Sequence, residues 1–82
     1  MEKNYNGWSN RSTWLVNLHM TNTNKEINDL YESAAVSANT ESQFKNRVLM
    51  LMPHAPLLDK EEAFYVNQID WTELWDANRI TV

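Results

Sequence analysis

At four points in this 82-residue chain where a helix could begin, a threonine or aspartate stands three positions ahead of a glutamate or glutamine: Thr23/Glu26, Thr40/Gln43, Asp59/Glu62 and Asp70/Glu73. That spacing lets the first side chain accept an unpaired amide of a helix's opening turn while the second reaches back to the cap. Each pair opens onto apolar residues. Ile27, Leu30, Tyr31 and Ala34 follow the first at helical spacing, and the helix is expected to run to Ser37 or Ala38. Phe44, Val48, Leu51 and Met52 follow the second, until Pro53 removes a donor and ends the helix. His54 to Leu58 reads as a loop, with Ala55 held extended by Pro56. Asp59/Glu62 predicts a short helix through Ala63, Phe64 and Val66, and Asp70/Glu73 one carrying Trp71, Leu74 and Trp75. Between Trp14 and Met20 two periods compete, because Trp14, Val16, Leu18 and Met20 also fit a strand. A helix capped by Ser9 is the reading adopted. The expected fold is all-α, a compact single domain of four to five short helices over residues 1–82, with residues 1–8 as an extended lead-in.

A chain this short is near the size at which one core suffices without staples. It has no cysteine, so disulfides and thiolate-bound zinc are excluded, and four tryptophans are the expected compensation. At least three of those four are expected inside. Met1-Glu2-Lys3-Asn4 leads into no apolar run, so neither a signal peptide nor a membrane span is expected, and the default location is the cytoplasm of a bacterial host.

The single glycine and two of the tryptophans lie in Gly7-Trp8-Ser9-Asn10-Arg11-Ser12-Thr13-Trp14, which runs into the apolar Leu15-Val16-Asn17-Leu18. Gly7, Trp8, Ser9, Asn10, Thr13 and Trp14 form a pattern that resembles a family of small proteins of bacteriophages and mobile elements. In that family Gly-Trp, Thr or Ser, Asn, two variable positions and Thr-Trp precede an apolar helix. Ile69-Asp70-Trp71-Thr72-Glu73-Leu74 is similar to the family's closing segment, where Asp/Asn-Trp opens the last helix. The chain departs from the pattern at Arg11, where an aromatic is common, and at Ser12, where a glutamate would complete a capping box with residue 9. The resemblance implies a helical protein acting in a bacterial cell on a host component.

Charge adds a second line. The formal net charge is −4, and residues 59–82 hold Asp59, Glu61, Glu62, Asp70, Glu73 and Asp76 against Lys60 and Arg79. The earlier two thirds balance. Nucleic-acid binders carry the opposite sign, so direct binding to DNA or RNA is not expected. First-turn acids also satisfy helix dipoles, which accounts for several of these positions without any function. A face of such carboxylates could nevertheless imitate spaced phosphates and be steered into a basic groove. Tyr65 beside them would supply an aromatic anchor.

Candidate chemistry is thin. His19 and His54 lack a metal-ligand spacing, and no cofactor is expected. Ser9, Ser12 and Thr13 have no base nearby in sequence to activate them. One glycine is too few for a phosphate-cradling loop. The sequence therefore points to a non-catalytic protein, a monomer or homodimer. It would bind and inhibit a host defence nucleoprotein of anti-CRISPR or anti-restriction type, through Asp59, Glu61, Glu62, Tyr65, Asp70, Glu73 and Asp76. The alternative is a structural or assembly module that dimerises through exposed aromatics such as Trp71 or Tyr65.

Overall fold

The computed structural model describes residues 7–79. Residues 1–6, most of the expected lead-in, lie outside the described residues. Four α-helices occur among them: α1 (Arg11–Asn22), α2 (Lys25–Ser37), α3 (Glu41–Leu51) and α4 (Trp71–Arg79). Between α3 and α4 the chain makes three single turns of 3-10 helix, at Met52–His54, Leu58–Lys60 and Val66–Gln68. The all-α expectation holds, and the ambiguous stretch before Met20 is helical.

Each helix starts on a side-chain cap, though two caps lie one residue beyond the expected position. Asn10 Oδ1 accepts the Thr13 amide at 2.9 Å, and Asn24 Oδ1 accepts that of Ile27 at 2.9 Å. Asparagine caps as well as serine does, and the two residues passed over are engaged elsewhere. Thr23 closes α1, its amide and hydroxyl both donating to the His19 carbonyl. Ser9 is bound to Glu73. Thr40 caps α3 through the Gln43 amide at 3.2 Å, and the Gln43 carboxamide oxygen accepts the Asn39 amide. Asp70 Oδ1 accepts the Glu73 amide at 3.0 Å.

The expected helix after Asp59 is a correction. Leu58–Lys60 makes one 3-10 turn, Glu61 is extended, and Ala63 adopts a left-handed φ of 56°. Side chains of α1 take backbone groups in this segment that an α-helix would have paired internally, so tertiary contacts override the local signal.

Packing centres on α2, which touches α1, α3 and α4. Leu15, Val16 and Met20 of α1, Ile27 and Tyr31 of α2, Phe44 and Val48 of α3, and Leu74 of α4 form the core with Leu58 and Ile69. Phe44 is its hub. Tyr31 lies 6.1 Å from its ring centroid, and Trp71 meets it edge-on at 6.3 Å, an arrangement suited to the aromatic quadrupole. Trp71 is buried, and Trp8, Trp14 and Trp75 are half-buried against the core. Leu30, expected on the inner stripe of α2, is 48% exposed. A buried polar node ties three helices. Tyr31 donates to Asn17 Oδ1 at 3.0 Å and accepts from Asn78 Nδ2 at 3.0 Å.

Candidate functional site

Five consecutive residues, Ser9 to Thr13, hold the segment from Glu62 to Glu73. The Ser9 amide and hydroxyl donate to one carboxylate oxygen of Glu73, at 3.0 and 2.8 Å. Asn10, while its oxygen caps α1, donates through Nδ2 to the Gln68 carbonyl at 2.7 Å. Arg11 Nε donates to the Glu62 carbonyl at 3.0 Å. Ser12 Oγ accepts the Tyr65 amide at 3.0 Å, and Thr13 Oγ1 accepts the Asp70 amide at 2.8 Å. Ser12 and Thr13 are wholly buried. Their hydroxyls satisfy amides that would otherwise lack partners away from water. The beginning of the first helix thus serves as a template for a segment about sixty positions later.

The held segment turns two large apolar side chains outward: Tyr65 is 53% and Val66 45% exposed. Asp59, Glu62 and Asp70 are exposed as well, and Lys60 is the one cation of residues 59–70. Phe64 instead packs against the core, anchoring the segment from below.

The six carboxylates of the expected acidic face differ in what they touch. Asp59, Glu62, Tyr65 and Asp70 lie exposed along this segment, although Asp70 also caps α4. The other three carboxylates have partners of their own, two of them half-buried and one at the surface. Glu61 is half-buried between His19, 2.6 Å from Nε2, and Arg11 at 3.6 Å. Glu73 receives Ser9. Asp76 pairs with Arg79 at 2.8 Å, and that guanidinium lies 4.2 Å over the Trp75 ring. Trp71, named as a dimer anchor, belongs to the core, while Trp75 donates its indole N–H to the Ala35 carbonyl at 2.9 Å.

The remaining chemistry-bearing groups follow the same logic. The Ser12 and Thr13 hydroxyls are enclosed and occupied, so neither is presented to a substrate. His19 lines an open cleft of about 410 Å³ with Leu18, Asn22, Thr23, Pro56 and Leu57. Its ring is held by Glu61, and the Thr23 hydroxyl is turned to the His19 carbonyl. Among the described residues no three His, Cys, Asp or Glu side chains gather in a way that could hold a metal ion. No helix among them is long and apolar enough to cross a membrane.

Sequence reasoning missed the roles of Asn10, Arg11, Ser12 and Thr13. The signal available was the run itself: five polar residues in succession at a helix start, where one suffices for capping.

No curated protein and no solved structure matches the chain. The model of a family of unknown function, DUF7249, matches residues 1–81, and the chain therefore belongs to that family.

Proposed function

We propose that this chain is a non-catalytic binding protein that docks on a cationic protein surface through residues 59–70, with Tyr65 and Val66 as anchor. One observation carries the reading. Two large apolar side chains are held out in water on a segment whose backbone is fastened by buried hydroxyls at Tyr65 and Asp70. Fastening a loop before it meets a partner removes much of the ordering cost of binding. An aromatic rimmed by charge is the usual composition of an interface hot spot. Asp59, Glu62 and Asp70, exposed on the same segment, set the sign of the partner surface.

The resemblance of Gly7 to Trp14 to phage and mobile-element proteins supplies the class of partner. It is a host defence nucleoprotein, of CRISPR or restriction type, whose basic groove normally receives nucleic acid. The carboxylates act there by steering and sign rather than as a full phosphate replica, because Glu61 and Glu73 are engaged within the fold and Asp76 is already paired with Arg79 at the surface.

The test is capture from a bacterial lysate on immobilised protein at low and high salt, repeated with Tyr65→Ala and with Asp59→Lys/Glu62→Lys. The reading expects one nucleoprotein to be retained, released by salt because exposed charge pairs are screened, and lost with either variant. Retention that is unchanged in folded variants would refute it.

A further inference from the structure

Leu30 and Met50 line an open groove of about 310 Å³ between α2 and α3, with Ala34, Leu51, Ser33, Ser37 and Arg47. Ser33 and Ser37 also border the next depression on α2, shared with Asp29, Glu32 and Val36. Leu30, Val36 and Met50 are 48%, 63% and 75% exposed. This one face therefore holds three of the large apolar side chains that the fold leaves in water. Exposed apolar surface gathered in one place marks an interaction site.

We infer that this α2–α3 face pairs with the same face of a second copy of the chain. The argument is complementarity of charge across α2. One side of the helix carries a cation, Arg47, whose Nη1 is fixed to Ser37 Oγ at 2.8 Å and directed to the Ala34 carbonyl. The other side carries the carboxylates of Asp29 and Glu32. A two-fold interface brings residue i of one copy onto residue j of the other, and j onto i. A face with both signs on opposite sides of one apolar ridge suits that operation. Leu30 and Val36 lie three positions to either side of Ser33, whose small side chain lets two helices approach. A two-fold axis passing Ser33, inclined to α2, gathers the aliphatic side chains about itself and sets Arg47 of each copy against Glu32 of the other. A face two short helices wide is at the small end of stable interfaces, so the dimer forms and dissociates with concentration. It uses none of the Tyr65 segment and stands independently of the docking proposed there.

Sedimentation equilibrium of the full chain tests this, with helix content checked by circular dichroism. The wild type is expected to pass from monomer to dimer as concentration rises. Val36→Asp and Glu32→Arg should each weaken association about tenfold, since each change acts twice in a symmetric pair. Arg47→Glu combined with Glu32→Arg should restore it. A wild-type chain that stays monomeric up to about 1 mM overturns the inference. So does a Val36→Asp chain that dimerises as the wild type does, or a double variant no tighter than Glu32→Arg alone.

Discussion

The hydroxyl oxygen of Ser12, with no surface open to solvent, lies 3.0 Å from the amide nitrogen of Tyr65 and accepts its proton. A side chain at the start of α1 thereby fixes the backbone of the most exposed aromatic among the described residues. Replacing Ser12 by alanine strands that amide, and a buried donor without a partner costs roughly 1–3 kcal/mol. Urea unfolding of Ser12→Ala should show that loss. Hydrogen exchange at the Tyr65 amide should accelerate by more than the global change explains, because the bond lost is its own.

Asn10 does two jobs at once, capping α1 through oxygen and holding the Gln68 carbonyl through nitrogen. Asn10→Asp keeps the cap and loses the donor, whereas Asn10→Ala loses both. The expected order of stability is wild type, then aspartate, then alanine, with the alanine variant down by about 1–2 kcal/mol. Thermal unfolding of the three proteins checks the order, and an aspartate variant as weak as alanine would contradict it.

Tyr31 gives the fold an alkaline limit. Burial pushes its phenol well above the ordinary value, against a smaller opposing effect from the Asn78 hydrogen bond. The folded state therefore favours the neutral ring. Its contribution is complete below the ordinary phenol pKa of about 10 and declines as pH rises beyond that toward the folded value. The Tyr31 phenolate should accordingly appear in ultraviolet absorbance only as helical dichroism is lost. Tyr31→Phe should flatten that alkaline decline while lowering stability at neutral pH by about 1–2 kcal/mol, since Asn17 and Asn78 lose a shared partner.

Ala63 sits at a φ of 56°, where a β-carbon is crowded by the following carbonyl. Ala63→Gly should stabilise the protein by roughly 0.5–1 kcal/mol, the relief exceeding the added freedom of the unfolded chain. A lowered melting temperature would show that the left-handed turn carries no strain.

Phe44 joins Tyr31 and Trp71 in the centre of the core. Truncation to alanine should cost about 3–5 kcal/mol, enough to leave so small a domain largely unfolded at 37 °C. Dichroism and tryptophan emission would report it together.

The helices were legible in the sequence wherever the information was local. Ile27, Tyr31 and Ala34 repeat at helical spacing, and Thr40, Asp70 and Pro53 punctuate as their chemistry dictates. Legibility stopped where a residue's partner was distant. Asp59/Glu62 looked like a helix start because nothing near it announces that Arg11 and Ser12 will take the Glu62 carbonyl and the Tyr65 amide. Ser9 looked like a cap because Glu73 is 64 positions away. For the site, Tyr65 and the exposed Asp59 and Glu62 were visible as residue types. That Glu61 would turn inward to His19 depends on α1 lying beneath it, which composition does not encode.

The template at Ser9 to Thr13 also governs when the molecule can form. Every long-range hydrogen bond of that run so far described reaches a residue between Glu62 and Glu73, and Arg11 also pairs with Glu61. Until that later segment has been made, the opening turn of α1 keeps its Asn10 cap but none of these distant partners. Contacts between such remote stretches are slow to close. Biogenesis is consequently a matter of waiting: the start of α1 is secured in full only after the residues that follow α3 have been made.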